Sequence, residues 1–235
     1  VSDTAGNAAT ANTAESFTYD VTAPTSTTAV ESVDGTGNAN DADVVTITLD
    51  PSETVGTPTC TFTDGIGAME DTTVDYDTTG DDSHTAQVTV HNDDDDGAVG
   101  FSCTYADLAG NDIASAITVA TSGAVEIDNT HPSISSVTFD SGDYVNNAED
   151  ESAINLVIVT SGAEDTETVT ATLNGADYTC DLTSNSCTAS ISSAALKALT
   201  DGTSYTFSVT VSDTAGNAAT ANTAESFTYD VTAPT

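Results

Sequence analysis

Apolar side chains in this chain recur at every second position, in short runs separated by Thr, Ser, Asp and Gly. Over 205–211 the order Tyr, Thr, Phe, Ser, Val, Thr, Val puts Tyr205, Phe207, Val209 and Val211 on one face of an extended segment, the two-residue period of a strand buried on one side. The same pattern, bounded by turn residues, predicts strands over 27–33, 44–49, 57–63, 85–90, 100–105 and 116–127. A second set is predicted over 133–139, 154–160, 167–173, 176–182, 188–191, 204–211 and 225–231. Strands every ten or so residues with turns between them are the signature of an all-β sandwich. Abundant threonine agrees, because its β-branch suits a pleated surface. The single helical hint, 193–199, is too short for more than one or two turns.

The chain repeats itself. Residues 1–25 read VSDTAGNAATANTAESFTYDVTAPT, and residues 211–235 read the same letters, an offset of 210 residues. A fainter period lies inside it. Asp20-Val21-Thr22-Ala23-Pro24, Asp128-Asn129-Thr130-His131-Pro132 and Asp230-Val231-Thr232-Ala233-Pro234 read as linkers, with prolines 108 and 102 residues apart. That spacing is the size of an immunoglobulin (Ig)-type sandwich of roughly 100 residues. The expected organisation is tandem Ig-like sandwiches in an extended chain: one over 26–131 and one over 132–235. Residues 1–25 are then the C-terminal strands of a preceding repeat, frayed when cut off from their own core.

Charge narrows the function classes. There are 38 acidic residues against one basic residue, Lys197, and no arginine. One lysine builds neither a phosphate-contact surface nor a polybasic patch, so nucleic acid and direct membrane insertion are not expected partners. Such a surface also repels itself unless cations screen it, and either site-bound calcium or bulk salt would serve. Four cysteines allow three pairings. One disulfide within each sandwich, Cys60 with Cys103 and Cys180 with Cys187, is the natural choice, since their spacings match no zinc pattern. Disulfides imply an oxidising, extracellular setting.

The second half resembles a known family. Asn147-Ala148-Glu149, Ala171-Thr172-Leu173-Asn174-Gly175, Leu196 and Leu199 with Asp201-Gly202, and Ser212-Asp213-Thr214-Ala215-Gly216-Asn217 occur in an order similar to that of bacterial Ig-like repeats in giant surface adhesins. The first half keeps Asp107-Leu108-Ala109-Gly110-Asn111 and the linkers, and adds an acidic insert at 93–96. The cysteines depart from the family, whose repeats usually lack them. The resemblance implies a structural extracellular stalk or fibre on the surface of a salt-adapted prokaryote, in which neighbouring repeats of the same chain are the main partners.

The candidate sites are calcium sites at the junctions, because calcium takes about six to eight oxygens from carboxylates, amides, carbonyls and water. Ig topology brings the first loop of one sandwich, the linker, and the last loop of the next sandwich together. The middle junction would gather Asp34, Asn40, Asp41, Asp43, Asp128, Asp213 and Asn217. The N-terminal one would gather Asp20, Asp107 and Asn111, and the C-terminal one Asp140, Asp143, Asn147, Glu149 and Asp230. The Asp-x-Ala-Gly-Asn segments read equally well as tight turns, with Gly free to take positive φ. The 91–97 run, His-Asn-Asp-Asp-Asp-Asp-Gly, reads as a solvated loop and lacks the alternation and closing Glu of an EF-hand. The histidines His84, His91 and His131 fall in polar loops or a linker, and no nucleophile elbow, zinc helix or phosphate loop is present, so no enzyme is expected. Two rival functions remain: a carbohydrate- or host-binding loop face, for which Tyr76 and Tyr144 are the aromatic candidates, and a filament of identical chains joined by strand exchange.

Overall fold

The computed structural model describes residues 2, 4–9, 16–32, 37–71, 75–77 and 83–234. Its first half carries β1 (Ser26–Ser32), β2 (Asn38–Ala39), β3 (Val44–Pro51), β4 (Thr59–Thr63), β5 (Asp75–Asp77), β6 (His84–Thr89), β7 (Gly97–Ala98), β8 (Gly100–Thr104) and β9 (Glu126–Ile127). The second half carries β10 (Ser133–Phe139), β11 (Tyr144–Val145), β12 (Ile154–Ser161), β13 (Thr168–Leu173), β14 (Ala176–Asp181), β15 (Ser186–Ile191), the helical turn α1 (Ser193–Leu196), β16 (Thr203–Thr206), β17 (Ser208–Thr210) and β18 (Ser226–Tyr229).

The alternation seen in the sequence is what closes each core. On β3, Val45, Ile47 and Leu49 point inward and are fully buried while their neighbours are half-exposed. Facing them are Phe62 of β4 and Phe101 of β8. In the second half Leu156 and Ile158 of β12 face Val169 and Ala171 of β13 and Val209 of β17. The two clusters share no residue. In both, one sheet is built on a long central strand, β1-β3-β6-β5 in the first half and β10-β12-β15 in the second. In both, the last strand lies between a short parallel partner and an antiparallel one: β9 between β2 and β7, and β18 between β11 and β16. This is an all-β architecture of Ig-like sandwiches.

Both disulfides form as expected. Cys60 and Cys103 are direct partners in the β4–β8 register, with Cα atoms 4.1 Å apart. Cys180 on β14 and Cys187 on β15 belong to different sheets and tie them together, with Cα atoms 5.7 Å apart.

Two predicted strands are not continuous. Segment 116–127 keeps a bridge from Ile117 to Cys103, a bridge at Ser122, whose carbonyl accepts the Val30 amide at 3.1 Å, and the short β9. Gly123 takes φ +75° where the chain passes over Val30, and a Cβ there would meet the Val30 carbonyl oxygen at 1.9 Å. Only glycine fits, and the strand breaks there. Segment 204–211 divides at Phe207, because β16 pairs with β18 while β17 crosses to β13. Phe207, Val209 and Val211 are buried, but Tyr205 packs only partly against the core. His84 is also not in a polar loop. It opens β6, 9% exposed, on the inward face opposite Leu49. The helical hint is one turn, capped by the Ser192 side chain and anchored by buried Leu196.

Candidate cation sites at the linkers

Each linker begins with an aspartate that folds the chain back on itself. The Thr22 amide donates to Asp20 Oδ1 at 2.9 Å, the Thr130 amide to Asp128 Oδ1 at 3.0 Å, and the Thr232 amide to Asp230 Oδ1 at 3.3 Å. These are Asx turns, which an Asp two residues ahead of a free N–H favours.

The Asp-x-Ala-Gly-Asn loops are turns and linker anchors at once. Asp107 Oδ1 accepts the Ala109 and Asn111 amides, each at 2.8 Å, and Gly110 takes φ +91°. The Asn111 side chain donates to Asp107 Oδ2 at 2.7 Å and to the Asp20 carbonyl at 3.2 Å. The second loop repeats this. Asp213 Oδ1 accepts the Asn217 amide at 2.8 Å, and the Asn217 side chain donates to Asp213 Oδ2 at 3.1 Å and to the Asp128 carbonyl at 2.7 Å. Asp213 and Asn217 are both 4% exposed. The Asn111 side chain and amide hold the Asp107 carboxyl below the usual carboxylate range.

A third carboxylate, absent from the sequence expectation, completes the N-terminal group. Glu53 joins Asp20 and Asp107 so that one oxygen of each lies within 4.8 Å of the others, beside an open cleft of about 430 Å³ that Thr18 and Thr54 help to line. Desolvation, then the charges of Asp20 and Asp107, push the Glu53 carboxyl up. At the middle linker Glu164, three residues past the end of its long strand, lies near enough to Asp128 for their charges to interact, and its Oε2 accepts the Thr214 amide at 3.0 Å. Desolvation raises the Asp128 carboxyl; the Thr130 amide opposes this, and the charges of Asp213, Asp96 and Glu164 add to the rise.

The second and third linkers are also held from the sandwich that precedes each. Asp96 Oδ1 accepts the Asn129 amide at 2.7 Å, and its Oδ2 accepts the Thr130 hydroxyl at 2.5 Å. Asp201 does the same for the Thr232 hydroxyl and for the Val231 amide, the latter at 2.8 Å, and these bonds, the hydroxyl foremost, lower its pKa. The 91–97 loop is therefore not simply solvated. Asp94 is 4% exposed and accepts the His91 amide at 2.8 Å and the Glu70 amide at 2.7 Å. The Asn129 side chain in turn donates to the His91 and Asp94 carbonyls. The available signal was the pair Asp96-Gly97, matched by Asp201-Gly202 at domain spacing.

The remaining expected ligands are placed unevenly. Asn40 faces the loop of the second sandwich, since a Cβ on Gly216 would come within 3.2 Å of its Nδ2. Asp43 Oδ2 accepts the Asn40 amide at 3.1 Å, and Asp41 Oδ1 accepts the Asn92 amide at 3.1 Å, both within the first sandwich. Asp34 lies outside the described residues, as does the side chain of Tyr76. At the far end Asp140 and Glu149 line a shallow cleft of about 240 Å³ with Ser141, Ser152 and Asn155. The Asp143 carbonyl accepts the Thr228 amide, and the Asp230 amide donates to Val145; Asn147 is exposed. Tyr144 is 63% exposed.

No family model matches the sequence, and the curated proteins give no match. Solved structures do. The chain is similar to a Ca2+-stabilised adhesin that helps an Antarctic bacterium reach out and bind ice, with 22% identity and a TM-score of 0.52 over 98% of this chain. It spans 55% of that structure's length. It is also similar to the I67–I69 I-band fragment of titin, with 12% identity, 90% of this chain, 66% of that one and a TM-score of 0.50. A bacterial Ig-like domain from the M. primoryensis ice-binding adhesin is 26% identical over 41% of this chain and 96% of its own length, with a TM-score of 0.31. The likeness is one of Ig-like fold, and bacterial adhesin domains are among the structures that share it.

Proposed function

We propose that this chain is a structural length of an extracellular, adhesion-type protein, in which successive Ig-like sandwiches (26–131 and 132–235) are held in line by calcium at the linkers. The observation that carries this reading is the carboxylate group Asp20, Glu53 and Asp107, whose oxygens converge within 4.8 Å; at the middle linker the charges of Asp213 and Glu164 act on Asp128 without so close a convergence. The donors are all hard oxygens, as calcium requires. The only lysine cannot neutralise them, since it pairs with Glu151 on the surface at 2.8 Å. The donors come from a linker and from the sandwich that follows it, so an ion shared among them would fix the angle between repeats. The two disulfides fit an oxidising exterior. Among the described residues no helix is long and apolar enough to cross a membrane.

The test is thermal unfolding at low ionic strength with millimolar calcium, beside sodium chloride matched for ionic strength. Stabilisation by calcium well beyond the sodium control is expected; equal recovery in sodium would mean that the acids need only screening. Scattering in chelator should show a looser chain than in calcium.

Glu53 adds a pH signature. Its folded-state pKa is raised above 4.5, so its charge opposes folding above that raised value and the opposition is relieved as pH falls through it. Calcium and the proton compete for the same oxygens. The calcium increment should shrink as pH approaches the raised pKa from above. Glu53→Gln should weaken calcium binding by roughly an order of magnitude while stabilising the calcium-free chain. Isothermal titration of both proteins decides this, and an unchanged affinity removes Glu53 from the site.

A further inference from the structure

The two disulfides sit in opposite surroundings. Cys60 and Cys103 are 5% and 0% exposed and pair within one sheet, and Ile117 bridges to Cys103 from its other side. Cys180 and Cys187 close a flank instead. β14 ends the β14-β13-β17 sheet and β15 ends the β10-β12-β15 sheet. Among the described residues neither strand has a ladder neighbour beyond it, so the bond spans the side where both sheets stop. Cys187 is 7% exposed, but Cys180 is only half-buried.

The segment between these two cysteines is held by bonds that do not involve sulfur. Leu182 is 1% exposed, and its amide donates to the Glu167 carbonyl at 2.9 Å. Thr183 and Ser186 bridge each other. The Thr160 amide donates to the Asn185 carbonyl at 2.9 Å, and the Ser184 amide donates to Asp165 Oδ1 at 2.6 Å. The charges beside the bond are negative. Asp181 follows Cys180 directly and accepts the Thr168 hydroxyl at 2.8 Å, while Lys197, the one basic side chain, is engaged with Glu151.

We propose that Cys180–Cys187 is a thiol-exchange site of the folded chain, opened by small thiols, cationic ones foremost, while Cys60–Cys103 stays closed. The incoming thiolate attacks the Cys180 sulfur, because exchange requires access to a sulfur. A bond from the thiol to Cys180 forms as the Cys180–Cys187 bond breaks. The electron pair leaves on Cys187, which then takes a proton from solvent. One disulfide replaces another, so the thiol is the only co-reactant. The anchored loop keeps Cys187 near the mixed disulfide at high effective concentration. Cys187 therefore expels the thiol and restores the bond once free thiol is removed. Asp165 and Asp181 repel an anionic thiolate and attract an ammonium group carried by the reagent.

The experiment treats the full folded chain with 2-mercaptoethylamine, 2-mercaptoethanol or thioglycolate at equal thiolate concentration, then quenches with acid and maps the peptides by mass. The thiol should appear on Cys180, with Cys187 free and Cys60 and Cys103 still joined. In denaturant both disulfides should react. At low ionic strength the cationic reagent should outrun the anionic one by about tenfold, and added salt or Asp181→Asn should narrow that ratio. Removing the thiol should return the parent mass. Exchange at Cys60–Cys103 as fast as at Cys180–Cys187 in the folded chain overturns the proposal, as does no exchange short of unfolding. Equal rates for the cationic and anionic reagents at low salt overturn the charge preference.

Discussion

Replacing Cys60 and Cys103 by alanine is expected to lower the stability of the first sandwich by about 4 kcal/mol, while the same change at Cys180 and Cys187 lowers that of the second by about 2.4 kcal/mol. The difference comes from loop length. The first bond joins residues 43 apart in sequence and the second residues 7 apart, and a longer closed loop removes more entropy from the unfolded chain. The first pair is also buried, with Cys60 5% and Cys103 0% exposed beside Phe62 and Phe101, so lost packing adds to the effect. Calorimetry in reducing and non-reducing buffer resolves the two sandwiches if their transitions separate, and the single-sandwich variants assign them. Equal costs for the two pairs would show that loop entropy is not what these bonds contribute. Complete reduction would cost the first sandwich more stability than the second, and β4 and β8 would lose the covalent tie across their register.

Much of this was legible in the sequence, and the reasons are local. The long strands β3, β6, β12 and β13 announce themselves because alternate Val, Ile, Leu and Ala must leave water on one face only. The repeated linker aspartates and the Asp-x-Ala-Gly-Asn loops were visible as recurring letters, but that Asn111 and Asn217 close the turn and also hold the linker carbonyl was not, since neither the turn reading nor the ligand reading contains it. The two-residue strands β2, β7 and β11 were not legible, because so short a pairing has no period. The sheet change at Phe207 left the alternation intact while redirecting the backbone. Glu53 and Glu164 carry no motif, and only the closing of each sandwich brings them to a linker. Asp94 was hidden by its neighbours: in a run of four aspartates nothing in the composition marks the one that turns inward to collect amides.

The hydrogen bond from Tyr229 to Asp150 should make the second sandwich sensitive to alkali. Asp150 is 3% exposed, its Oδ2 accepts the Tyr229 hydroxyl at 2.6 Å, and its Oδ1 has no hydrogen-bond partner. That bond, then burial and the charges of Asp150, Asp201 and Glu151, push the Tyr229 pKa from 10.0 up to about 12. The folded state therefore holds the phenol proton more tightly than the unfolded chain does. Its contribution is fully present below pH 10 and is lost as pH rises toward about 12. Tyr229→Phe removes the donor and leaves a buried carboxylate with neither oxygen satisfied, at a cost of about 2 to 3 kcal/mol. In that variant the alkaline loss disappears. Pairing it with Asp150→Leu should recover most of the stability, because taking away both partners is far less costly than orphaning one. Denaturant midpoints between pH 7 and 11 for the parent, the single variant and the double variant separate these cases. A parent curve no steeper in alkali than that of Tyr229→Phe would mean that the bond contributes nothing to folding.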